Sequence, residues 1–123
     1  DDAAGKTEAS TVLEKEDTVA IYGSNEFAAK AIINANGGFK ESKLGADKIL
    51  AVGFDSGALQ QDAIRKGIFV GSVTQDPVQI GYQAVKLAIA AAKGETVKDV
   101  DTGSKWYDAK NIDSEEIKAL LYE

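Results

Sequence analysis

The sequence predicts an α/β fold: a parallel sheet with helices on both of its faces. Three observations carry this. Short β-rich apolar runs alternate with longer segments of helical spacing, the pattern of βαβ units joined by right-handed crossovers. Glycine or proline punctuates most of the junctions between them. The 123 residues are one domain's worth of chain.

Residues 2–15 carry mostly helix formers around a thin apolar stripe of Ala4, Ala9, Val12 and Leu13. Thr18-Val19-Ala20-Ile21-Tyr22, ended by Gly23-Ser24, reads as a buried strand. Phe27, Ala28, Ala31, Ile32 and Ala35 then recur at helical spacing, and Gly37-Gly38 supplies the stop. A polar connection over 39–48 leads into a second buried strand at 49–54. Ala58, Leu59, Ala63 and Ile64 mark the next helix, which Gly67 closes. A third strand covers 68–74, broken by Gly71. Asp76-Pro77 opens the longest helix, 77–93, since Asp is a good N-cap and Pro suits the first turn. Gly94 ends it. Beyond come residues 97–101, a turn at Gly103, the Trp106-Tyr107 pair and a short terminal helix from Ser114.

Composition narrows the chemistry. Apolar residues at 44% and charged residues at 28% indicate a globular chain and argue against disorder. A net charge of −6, with lysines scattered among acids, argues against nucleic acid, whose backbone is held by clustered Lys and Arg. With no His and no Cys, zinc fingers, thiol catalysis, Ser-His-Asp triads and dithiol redox pairs are excluded. No catalytic residue, metal or cofactor is expected. There is no Met, and the opening Asp1-Asp2-Ala3-Ala4 carries no leader-like region, so a fragment of a longer chain is expected.

In parallel sheets, ligands bind just outside the carboxyl ends of the strands. The polar residues at those positions are Ser24, Asn25 and Glu26, then Asp55 and Ser56, then Thr74, Gln75 and Asp76. Planar amides and carboxylates suit a ligand covered in hydroxyls. Taken singly, Asn25, Asp55 and Asp76 read first as N-caps of the helices that follow them. Gln75 does not, because Gln is a poor cap. Glu26 reads as a first-turn acid favoured by the helix dipole. Trp106 and Tyr107 could stack on a ring, but between Lys105 and Asp108 they read as exposed or half-buried packing residues. Ala84 and the alanine-rich run 88–92 suggest close packing of a helix on a sheet. A phosphate loop would need a Gly-rich, Lys-containing turn, and no strand end has one.

Four segments recur in a familiar order and spacing: Val19-Ala20-Ile21-Tyr22-Gly23-Ser24-Asn25-Glu26, Ile49-Leu50-Ala51-Val52-Gly53-Phe54-Asp55, Val73-Thr74-Gln75-Asp76-Pro77-Val78-Gln79-Ile80-Gly81 and Asn111-Ile112-Asp113. Together they resemble the type-I periplasmic sugar-binding proteins, such as the ribose-, allose- and galactose-binding receptors, over essentially the whole chain. The resemblance implies that Asn25, Asp55 and Gln75 bond sugar hydroxyls. It implies a two-lobed parent more than twice this long, of which this is the C-terminal portion, a partial lobe. Residues 1–75 would be the βα core of the C-terminal lobe. Residues 76–96 would form a helix that crosses a hinge into the other lobe, and 97–123 the hinge-return strands and C-terminal helix.

The partners so implied are a monosaccharide, pentose or hexose, and the membrane permease of an ABC transporter. The implied location is extracytoplasmic, in a periplasm or as a cell-surface lipoprotein. The effector-binding core of a LacI-type transcriptional regulator shares the fold and stands as the alternative. Thr74-Gln75-Asp76-Pro77 and the Asn111-Ile112-Asp113 tail lean toward transport. Without its other lobe, the helix face of Ile80, Ala84, Leu87, Ala88 and Ala91 has no cover. Self-association through that helix, or its folding back onto the sheet, is therefore expected.

Overall fold

A computed structural model describes residues 1–122. In chain order the elements are α1 (Asp2–Leu13), β1 (Ala20–Tyr22), α2 (Glu26–Ala35), β2 (Leu50–Phe54), α3 (Ala58–Arg65), β3 (Gly71–Gln75), α4 (Pro77–Ala92), β4 (Ser104–Tyr107) and α5 (Glu115–Lys118). One sheet holds the strands in the order β1-β2-β3-β4. The first three are parallel, with Tyr22 beside Val52 and Gly53 beside Ser72. β4 returns antiparallel to β3, setting Tyr107 beside Ser72 and Ser104 beside Gln75. The expected α/β class is the one observed, with a sheet that is mostly parallel and antiparallel at β4.

Local chemistry starts each helix where the sequence places it. Asp1, Asn25, Asp76 and Ser114 each accept a first-turn backbone N–H, satisfying donors that would otherwise lack partners. Gly37 and Gly38 end α2 at φ 77 and 74, a backbone region that side chains other than glycine rarely enter.

Helices were expected on both faces of the sheet; among the described residues α2 and α3 cover one face and leave the other open. Strands added in chain order by right-handed crossovers place successive helices on the same side, and α2 and α3 accordingly touch. Beneath them lies the core: Ala29, Ile32 and Ile33 of α2, Ala51 of β2, Ala63 and Ile64 of α3, with Phe69, Tyr107, Ile112 and Ile117. α1 packs along α2 through Ala9 and Leu13. The opposite face is open. There Tyr22, Leu50 and Trp106 are exposed, and Val52, Phe54 and Val73 half-buried. Trp106 lies across Gly71 so closely that a Cβ at residue 71 would meet its indole at 2.1 Å.

Two boundaries differ from expectation. The third strand begins at Gly71, not at 68, because the N–H groups of Ile68 and Phe69 both donate to the Ala63 carbonyl and finish α3. Their burial, at 4% and 1% exposure, is that of a core loop. After α4, residues 95–103 form no strand, and a single strand, β4, returns where the resemblance implied hinge-return strands in the plural. Val97 and Val100 are exposed.

α4 departs most from a packed element, since none of its residues is buried. Val78, Tyr82, Val85 and Ile89 make one apolar stripe, and Ile80, Ala84, Leu87 and Ala91 a second on nearly the opposite side at 100° per residue. Polar residues occupy only the narrow strip of Gln79, Gln83, Lys86 and Lys93. The alanine-rich run therefore packs on no sheet within this chain, and α4 does not fold back. Self-association remains the expected outcome. Light scattering of this chain should show mass rising with concentration, and Val85→Glu should return it to the monomer mass; a constant monomer mass would exclude it. Among the described residues no helix is long and apolar enough to cross a membrane.

A polar edge at the carboxyl ends of the strands

Because β1, β2 and β3 are parallel, Asn25, Asp55 and Gln75 come to the same edge of the sheet. Asn25 and Asp55 meet at the start of α2. Asn25 Oδ1 accepts the Ala28 N–H at 2.8 Å, and Asp55 Oδ2 accepts the Glu26 N–H at 2.9 Å. Asp55 is thus a cap, but of the neighbouring helix. Its own following helix, α3, starts at Gly57 with no side-chain cap. The cause is the Asp55 backbone, held at φ 76, which turns the carboxylate back toward α2.

Each of these two residues commits one oxygen to the helix. Asp55 Oδ1 and the Asn25 amide nitrogen make no hydrogen bond among the described residues. Capping and ligand contact are therefore compatible at both positions.

Gln75 is the last residue of β3 and exposed. It lines a cavity of about 240 Å³ with Asp76, Thr102, Gly103, Ser104, Lys105 and Leu120. Asn25 and Asp55 do not line that cavity. The edge is shared by all three residues, but of the three only Gln75 lines the cavity.

Further residues gather at this edge, and Gln60, Ser72, Tyr107 and Tyr122 among them carry no local sequence signal for it. The Glu26 carboxylate lies against Gly57, where a Cβ would stand 2.5 Å from Oε1, and the Tyr122 hydroxyl is 3.5 Å from Oε2. Below the edge runs a buried polar layer of Ser56, Gln60, Ser72 and Thr74. Thr74 Oγ1 donates to Ser56 Oγ at 3.0 Å, while Gln61 Nε2 donates to the Ser56 and Tyr122 carbonyls and ties the C-terminal segment underneath. Three donors converge on the Asp55 carbonyl: the Tyr107 hydroxyl at 2.8 Å, Ser72 Oγ at 3.0 Å and Gln60 Nε2 at 3.4 Å. Tyr107, expected to be at most half-buried, is fully buried, and burial pushes its phenol up to about 12. Trp106 beside it is half-exposed, as expected. Outside the edge, the Lys110 N–H and the Trp106 indole hold the Asp108 carboxyl below its ordinary range.

Among the described residues no cluster of His, Cys, Asp or Glu is placed to hold a metal ion. The edge is a hydrogen-bonding surface of neutral amides, hydroxyls and a few carboxylates, suited to polyhydroxylated ligands.

Known proteins show the same construction. The model of the periplasmic binding protein domain matches residues 1–96. A Brachyspira murdochii protein described as an ABC transporter, LacI family transcriptional regulator, is 45% identical over 100% of this chain and 41% of its own, with a TM-score of 0.85. An ABC transporter solute-binding protein from Agrobacterium vitis, with bound D-fucose, is 28% identical over 98% of this chain and 41% of its own, with a TM-score of 0.84. A carbohydrate transporter solute-binding protein from Agrobacterium radiobacter, in complex with D-arabinose, is 29% identical over 98% and 40%, with a TM-score of 0.83. No curated protein matches. This chain spans about two-fifths of the length of the structures it matches. In sequence over most of its length and in fold throughout, the chain belongs to the periplasmic binding protein domain family.

Proposed function

We propose that this chain is one wall of the sugar cleft of an extracytoplasmic solute-binding protein, and that Asn25, Asp55 and Gln75 bond the hydroxyls of a pentose or hexose. The observation that carries this is the arrival of three planar polar groups at the carboxyl ends of three adjacent parallel strands. Two of them keep an uncommitted polar atom beside their capping bond. The solute-binding proteins from the two Agrobacterium species, of the same fold, hold D-fucose and D-arabinose.

The mechanism is closure around a ligand. A two-lobed parent bends where the chain leaves β3 at Gln75-Asp76 and returns at Ser104, and the sugar favours the closed state by bonding to both walls. Residues 1–75 are the βα core of one lobe, and 76–96 reach into the other. An apolar helix with no cover of its own supports that assignment. The closed form is what a membrane permease of an ABC transporter would receive, in a periplasm or at a cell surface. Binding and release complete the cycle, with no bond made or broken.

Asp55→Ala in the full-length parent should weaken sugar binding by about 1.5–3 kcal/mol, the scale of a hydrogen bond to a charged group. Calorimetry decides. Unchanged affinity with a large fall in melting temperature would make Asp55 structural only.

The description of the Brachyspira murdochii protein supports a second reading, the effector-binding core of a LacI-type regulator. Residues ahead of Asp1 in the parent separate the two: a leader or lipoprotein signal marks the receptor, and a helix-turn-helix the regulator.

A further inference from the structure

We infer that Tyr107 is a positioning residue for Asp55, holding through the Asp55 backbone the geometry in which its carboxylate is presented. This rests on the reading of Asp55 as a sugar ligand. At φ 76 a residue other than glycine persists only where its surroundings over-determine it. Both backbone groups of Asp55 are clamped. Its N–H donates to the Val73 carbonyl at 2.7 Å, and its carbonyl is drawn inward by the Tyr107 hydroxyl at 2.8 Å and Ser72 Oγ at 3.0 Å. With the backbone so turned, the carboxylate reaches the Glu26 N–H and the edge.

A second observation points the same way. Gln60 is fully buried, and its Nε2 serves the carbonyls of Phe54 and Asp55. Its Oε1 is left without a partner among the described residues. An apolar side chain there would avoid that unpaired oxygen, so the position spends a buried acceptor to keep one more donor at the strand end.

Tyr107 reaches Asp55 from 52 residues away in sequence. It does so from β4, the strand that returns after α4 and pairs with β3 from Ser104 to Tyr107. The posture of Asp55 therefore depends on the register of the returning segment. A shift of β4 along β3 would withdraw the hydroxyl from the Asp55 carbonyl. The strand that closes the chain's path is thereby linked to the carboxylate that reads the ligand.

The test has two arms. In this chain, amide hydrogen exchange is followed by NMR in Tyr107→Phe, which removes only the hydroxyl. The Glu26 amide, bonded to Asp55, should exchange about 10-fold faster, while the Ala28 amide, capped by Asn25 in the same turn, keeps its rate. Ser72→Ala, which removes a second donor to the same carbonyl, should act in the same direction. No change at Glu26, or equal acceleration of both amides, would overturn the inference.

In the full-length parent, Tyr107→Phe should weaken sugar binding about 3–10-fold, the range of one neutral hydrogen bond. That loss should vanish on an Asp55→Ala background, because Tyr107 acts through Asp55. Equal losses on both backgrounds would also overturn it. If Asp55→Ala alone leaves affinity unchanged, the sugar-site reading falls, and the exchange of the Glu26 amide decides the positioning role by itself.

Discussion

Phe69→Ala should destabilise the chain by about 3–5 kcal/mol, the cost of emptying a large aromatic site in a core that relaxes only in part. A domain of this size is held by about 5–15 kcal/mol in all, so the variant should stand near the edge of unfolding. Phe69 is 1% exposed and packs in the cluster with Ile64 and Tyr107. It does this from a connection, where a strand was expected. A loop residue with ordinary surface exposure would tolerate alanine with little change, and that contrast makes the test decisive. Urea denaturation followed by circular dichroism measures it; a loss below about 1 kcal/mol would mean that the site collapses or is less buried than the fold implies.

The second large effect is set by pH. The Tyr107 phenol is raised to about 12 from an unfolded value of 10.0, first by burial. Below pH 10 the group is neutral in both states, and its contribution is constant. Between pH 10 and about 12 the unfolded chain ionises while the fold keeps the proton. Stability should then fall as pH rises through that window, at a slope of no more than about 1.4 kcal/mol per pH unit for one proton. Tyr122, also raised by burial first, acts in the same direction. Denaturation midpoints at pH 9, 10, 11 and 12 give the slope. Tyr107→Phe should flatten much of it, and an equal slope in that variant would assign the loss to other groups.

Much of the architecture is legible in the sequence, because helix starts are chemically local. Asn25 and Asp76 cap the helices that follow them, as the sequence suggests, because an N-cap needs only the next three residues. Gln75 at a strand end, and the shared edge, follow from alternation and the parallel sheet alone. What was hidden depends on distant partners. Asp55 caps a helix 29 residues earlier in the chain, which no local rule can foresee. Ile68 and Phe69 are apolar and continuous with a strand, so the run alone could not show that Ala63 claims their N–H groups. Tyr107 looked half-exposed between Lys105 and Asp108, yet strand alternation sets it opposite the half-exposed Trp106 and points it into the core. α4 is legible as a helix without cover of its own, but its alanine run, which suggests packing on a sheet, meets none, since an apolar arc records that a partner is needed without saying where it lies.

Trp106 is the chain's one tryptophan, and it rests over Gly71 on the uncovered face of the sheet at 45% exposure. Indole emission is consequently a signal from a single known place. Any surface laid against that face would exclude water from the ring and move its spectrum to shorter wavelength, with no label attached. The position left bare in this chain is thus a built-in optical gauge of whatever comes to rest on it.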